Sequence, residues 1–245
     1  MASPTLIDVY SLPTVDNVCN QMLREVISLP HVSIAHVTMA PGNVSLWHRH
    51  SKMSEIYVVL EGQGILYYAE KSILAQAGTS LLLPPGTPHK LRNTGAAHLE
   101  HLVLAMPHFD PSDVELLSDS ANETAIPKTF SYDQSPTTAS DGALIYELIP
   151  ANERKRLDVA LAIGFLPKGR KAIPHYHQKS EEIYYISSGI GRVRVGKDYV
   201  DVRKGSVIQV PHHQVHALEN KSDAEELNVL CVTSPAYTDE DFIFE

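Results

Sequence analysis

Cysteine is almost absent from this chain of 245 residues, which has only Cys19 and Cys231. Two thiols near opposite ends make neither a disulfide framework nor a metal-type cysteine pair, and both read as buried or indifferent. No apolar run approaches the roughly 20 residues that a membrane helix needs. The opening stretch, Met1 to Pro13, has no basic segment followed by an apolar core, so no secretory signal is expected. Basic residues are outnumbered, with 20 Lys and Arg against 29 Asp and Glu, for a formal net charge of −9. Nucleic-acid binding rests on basic surface and counterion release, and an anionic membrane surface asks for the same clusters, so neither partner is expected. Long segments of 3.6-residue periodicity are missing too, which argues against a helical protein. These absences point to a globular, cytoplasmic protein.

What is present is a repeat. Gly42 and Gly169 lie 127 positions apart, and so do His48 and His175, His50 and His177, and Glu55 and Glu182. The same offset joins Gly62 to Gly189, Gly78 to Gly205, Pro84 to Pro211, His89 to His216 and Asn93 to Asn220. It then becomes 128 for Pro107 and Pro235, Phe109 and Tyr237, and Asp113 and Asp241. A period this long is a duplicated domain, because solenoid units are far shorter. The expected division is residues 1–117, a linker over 118–140 rich in Ser, Thr, Asp and Pro, and residues 141–245. Ser112 and Glu115 have capping-box spacing, which predicts one helical turn over Asp113–Leu117.

Each copy reads as β-structure. Val32–Met39, Glu55–Leu60, Gly64–Tyr68 and Ser80–Leu83 are short runs rich in β-branched and aromatic residues, punctuated by Gly, Pro and Asn. Their counterparts are Val159–Phe165, Glu182–Ile186, Gly191–Val195 and Val207–Val210. Many short, evenly spaced strands predict an all-β sandwich or barrel, with the jelly roll among the options.

Alternate residues of a strand share a face, so His48 and His50 point the same way. Glu55 opens the next strand, and His89 follows the turn Leu83–Pro88. Imidazole and carboxylate together suit a divalent first-row metal. Three His and one Glu give four ligands and leave an octahedral ion two open positions, as catalytic sites require. The second copy offers His175, His177, Glu182 and His216. Glu181 is a rival carboxylate, but Glu182 matches Glu55 in the repeat.

The first copy resembles the cupin family at every motif position: Gly42, His48, His50, Glu55 and Gly62, then Gly78, Pro84, Gly86, His89 and Asn93. The second departs once, with His213 where the motif has Gly, in a turn expected to favour positive φ. The resemblance covers about 100 residues in each half. It implies two tandem jelly-roll (double-stranded β-helix) barrels of the conserved-barrel type, a bicupin. It also implies a small-molecule site in each barrel, with a divalent ion such as Fe, Mn, Ni, Zn or Co. Tyr57 and Tyr184 share the parity of the glutamates, so each is a candidate catalytic phenol that orients substrate or passes a proton. Leu82 aligns with Gln209; if that position faces inward, the pockets differ there. His212 and His213 are read as rim residues, Arg192 and Arg194 as one strand face, and Asn93 and Asn220 as turn holders. The family implies three functions: a non-haem metal dioxygenase or other oxidoreductase first, then a metal-dependent isomerase, lyase or decarboxylase of a sugar or small acid, then a non-enzymatic binder of a sugar or small acid. Paired cupin domains imply a monomer or a homodimer.

Overall fold

The structure, a computed structural model, describes residues 5–118, 128–129 and 135–245. The chain forms two compact units: Leu12–Ser131, and Tyr132–Glu245 together with Met1–Ser11. Each is built from two antiparallel-dominated sheets, so both expected β-barrel domains are present.

In the first unit, one sheet runs Val15–Asp16, Met22–Ser28, Ser33–Met39, Leu99–Met106, Ser54–Glu61, Ser80–Leu83. The other runs Val114–Leu116, His48–His50, His89–Asn93, Gln63–Tyr68, Lys71–Gln76, Lys128–Thr129. The core lies between them. Met39, Tyr57, Val59, Leu66, Leu91 and Leu99 pack together there, all nearly inaccessible to water. Each such side chain contributes roughly 1.5–3 kcal/mol by leaving water. Tyr57 and Val59 belong to this cluster, and Glu55 shares their strand face. The pleat therefore aims the glutamate into the barrel.

The second unit repeats the plan with a seven-stranded and a five-stranded sheet. Its core holds Tyr184, Ile186, Val193, Ile208, Leu218 and Leu227. One helix, Ala151–Leu157, precedes the strand Ala160–Leu166. Ser80–Leu83 is observed with the bounds read from the sequence, and the other seven expected strands differ by a residue or two at their ends.

Three local differences have physical causes. Thr5–Asp8 pairs with Ser206–Gln209 and so belongs to the second unit, although the sequence division puts residues 1–117 together. The edge of that sheet offers unpaired backbone groups, which the N-terminal strand takes up. Thr137–Thr138 pairs with Leu144–Ile145, so the end of the segment read as a linker is β-structure of the second unit; residues 119–127 and 130–134 lie outside the described residues. The helical turn expected over Asp113–Leu117 is a 3-10 turn at Pro111–Asp113, capped by Asp110, followed by the strand Val114–Leu116. Glu115 turns outward to Arg49, 2.8 Å away, instead of closing a capping box with Ser112.

The repeat glycines Gly62 and Gly189 have φ of +89° and +85°. A Cβ on Gly189 would lie 2.5 Å from the Glu226 carbonyl oxygen, and one on Gly62 would press on that of His98. Only glycine fits both the conformation and the space.

Candidate metal centres

His48 and His50 lie on a three-residue strand held on both sides. His48 pairs with His89, and the whole strand pairs with Val114–Leu116. Glu55 enters from the facing sheet. The four ligand-type atoms of His48, His50, Glu55 and His89 all lie within 4.8 Å of one another, and all four residues are buried. His175, His177, Glu182 and His216 form the same group in the second unit. Glu181, the rival, points elsewhere and accepts a hydrogen bond from the Gln209 amide at 2.8 Å.

The rings are oriented by backbone carbonyls. Nδ1 of His48 donates to the Leu46 carbonyl at 2.8 Å, and that of His89 to Thr87 at 2.9 Å. Nδ1 of His175 and His216 donate to Ile173 and Gln214, each at 2.9 Å. A carbonyl only accepts, so Nδ1 carries the proton and Nε2 of the neutral ring presents a lone pair. In the first group, Nε2 of His89 and His50 approach the same Glu55 oxygen at 2.9 and 3.2 Å. All three atoms are buried without a hydrogen-bond partner. The Nε2 lone pair of His89, facing the Glu55 carboxylate at 2.9 Å, is repelled by it unless a cation lies between them. The donor set fits a divalent first-row ion, and such an ion is the cofactor at each centre.

The electrostatics suit this role. Burial, helped by His89, lowers His48 to a pKa of about 4; burial and His216 do the same for His175, to about 4. Both rings are neutral, ligand-ready imidazoles near neutral pH. Burial opposes charge on Glu55 and Glu182, yet the neighbouring histidines hold both carboxyls well below the usual range. Burial, then the adjacent glutamate, pushes Tyr57 and Tyr184 well above the ordinary phenol value. These tyrosines pack in the barrel cores, line the cavities and stay protonated.

Each group opens on a cavity: about 430 Å³ in the first unit and about 100 Å³ in the second. Leu82 and Gln209 line neither, so that suggested pocket difference falls away. His212 and His213 are exposed in the turn, and His213 adopts φ of +60° where Gly86 has +81°. Arg192 and Arg194 pair with Asp201 and Glu245 away from the centre. Asn93 and Asn220 hold turns, through carbonyls of Met39 and Ala97 and of Leu166 and Glu225.

Sequence reading passed over four residues. Asp113 and Asp241 tie down the turn between the histidine pair and the glutamate, and only their place in the repeat hints at it. Asp113 accepts the Met53 amide at 2.9 Å, and Asp241 the Ser180 hydroxyl at 2.6 Å. Cys19 and Asp141 line the first and second cavities. Neither belongs to a recognisable motif.

The chain belongs to the cupin family: the family's Cupin domain matches residues 35–105 and again 163–233. With both ligand groups intact, it is a metal-dependent bicupin. An uncharacterized protein of Methanocaldococcus jannaschii is 37% identical over 106 residues, covering 43% of this chain and 84% of that protein. The oxalate-binding protein of Thermotoga maritima is 31% identical over 70 residues, covering 29% of this chain and 58% of that protein. Among solved structures, oxalate decarboxylase from Bacillus subtilis superposes with a TM-score of 0.70 at 18% identity, covering 97% of this chain and 78% of that one. The formate complex of Lactobacillus farciminis oxalate decarboxylase gives 0.72 at 18% identity, covering 100% and 89%. Among the described residues no helix is long and apolar enough to cross a membrane.

Proposed function

We propose that this bicupin is a metal-dependent enzyme acting on a small carboxylic acid, and that it decarboxylates it. The carrying observation is the second centre: a buried His3Glu group opening on a cavity of only about 100 Å³. Pockets for drug-sized ligands run to several hundred Å³, so this one suits a molecule of few heavy atoms. An oxalate-binding protein and two oxalate decarboxylases among the similar proteins point the same way.

A bound divalent ion supplies Lewis acidity toward a carboxylate or carbonyl oxygen. The chain's own residues do the rest. His48 and His175 stay neutral, and Glu55 and Glu182 stay charged, so these two ligands of each set are ready near neutral pH. Tyr57 and Tyr184, held protonated, donate hydrogen bonds and orient it. In the overall reaction a C–C bond breaks, CO2 leaves, and the remaining carbon takes up one proton; no oxidant is consumed.

The test is CO2 release from a panel of small di- and 2-oxo acids by protein reloaded with Mn(II), Fe(II), Co(II), Ni(II) or Zn(II). Release from at least one acid, abolished by a chelator, is expected; silence across the panel with every metal would sink the reading. One observation favours the dioxygenase alternative: the first cavity, at about 430 Å³, is large enough for a catechol or flavonol. Oxygen uptake with those substrates, without CO2 release from the acids, would select it.

A further inference from the structure

The segments ahead of the two ligand strands share no residue pattern, yet they fold alike. The Asn17 amide donates to the Gln21 carbonyl at 2.9 Å and the Asn20 amide to the Asn17 carbonyl at 3.2 Å. The Ala139 amide donates to Ala143 at 2.8 Å and the Gly142 amide to Ala139 at 2.9 Å. Asn20 and Gly142 both have positive φ, +61° and +89°. The Cys19 carbonyl then accepts the Leu46 amide at 2.9 Å, and the Asp141 carbonyl accepts the Ile173 amide at 2.8 Å. Leu46 and Ile173 are repeat mates, and their own carbonyls orient His48 and His175. Cys19 and Asp141 thus occupy one structural position, 122 residues apart instead of 127. Each lines its own metal cavity.

Two further matched positions differ in the same sense. Ala105 stands across the sheet from Glu55, and Thr233 stands across from Glu182. Thr233 is only 4% exposed, lines the cavity, and its hydroxyl has no partner. Buried polar groups in folded proteins are nearly always paired, so an orphan facing a cavity calls for a ligand. Phe109 lies 6.4 Å from the His50 ring, where Tyr237 lies 6.0 Å from that of His177. At the three positions the first cavity presents a thiol, a methyl and a phenyl group. The second presents a carboxyl, a hydroxyl and a phenol.

We propose that the two centres take different ligands: the second a small hydroxy acid whose hydroxyl is read by Asp141 and Thr233, the first an acid without that hydroxyl. A ligand hydroxyl donates to the Asp141 carboxylate and accepts from the Thr233 hydroxyl, using both capacities of the group. Cys19 and Ala105 offer no such pair. A pocket built to hydrogen-bond a hydroxyl discriminates strongly against the analogue that lacks it, because its own polar groups are then left unpaired. The proposal rests on the small-acid reading only for the carboxylate that approaches the metal.

Tartronate and malonate differ by one hydroxyl and serve as probes. Calorimetric titration of Mn(II)-loaded His48→Ala protein reads the second centre alone, and His175→Ala reads the first. The second centre is expected to bind tartronate at least tenfold tighter than malonate, and the first to show less than a threefold difference. In the His48→Ala background, Asp141→Cys with Thr233→Ala brings the preference below threefold at unchanged metal content, whereas Thr233→Ser, which keeps the hydroxyl, retains it. Equal affinities at the second centre, or a preference that survives the double exchange, would overturn the proposal. No turnover is needed, so absence of CO2 release counts against the decarboxylation reading alone.

Discussion

The carboxylate of Asp241 stands 3.4 Å from Nδ1 of His177 while it accepts the Lys179 amide at 2.6 Å and the Ser180 hydroxyl at 2.6 Å. One side chain thus fixes the turn that carries His177 toward Glu182 and raises the basicity of the ring. Partners of this kind are worth about 10–100-fold in metal affinity. Asp241→Asn keeps the shape and removes the charge. It is expected to weaken metal binding at the second centre by roughly that factor and to leave the first unchanged. Competition against a graded chelator checks this; a second-centre affinity unchanged by the substitution would contradict it.

His101 is a buried histidine that no centre uses. It lies 5.4 Å from the Tyr57 ring, both of its nitrogens lack partners, and burial, with His36 nearby, lowers it from the usual 6.5 to about 3. The folded state therefore holds His101 neutral between these values while the unfolded chain binds its proton. Stability from this group is present above pH 6.5 and is lost as pH falls toward 3. His101→Phe is expected to flatten the acid limb of the stability curve by up to about one proton. Urea unfolding of the metal-free protein between pH 7 and 4 measures it, and an unchanged slope would refute the assignment.

Gly189 allows a close passage beneath the carbonyl of Glu226 at φ of +85°. Gly189→Ala adds a Cβ where backbone stands 2.5 Å away, and flexible side-chain movement cannot relieve it. The expected loss is more than about 1 kcal/mol, since the native φ is itself unfavourable for alanine. Thermal unfolding checks the magnitude. Gly78→Ala, with φ of +86° and nothing near the added carbon, is expected to cost less.

The ligand groups were legible because the repeat runs from Gly42 to Asn93 without a gap, so each ligand has a witness at the same offset. Strand parity placed Tyr57 and Tyr184 inside for the same reason. Cys19 and Asp141 were hidden because their equivalence rests on backbone hydrogen bonds that any side chain permits, at a spacing the repeat does not keep. The pairing of Thr5–Asp8 with Ser206–Gln209 was hidden because contact between distant segments leaves no local pattern. At Ser112 and Glu115 the spacing was right for a capping box, but Arg49 offered the glutamate a stronger partner. Whether Leu82 and Gln209 face inward stayed open because their alignment carries no information about which face of the strand they occupy.

Each chain is expected to hold two complete metal centres. The most direct test of this is the metal content of protein purified without a chelating tag, reloaded and freed of excess ion, then counted by mass spectrometry of the elements. Two divalent ions per chain are expected, one after His48→Ala, one after His175→Ala, and none after both. A wild-type content that the two substitutions leave unchanged, or a chain that retains no ion, would contradict it.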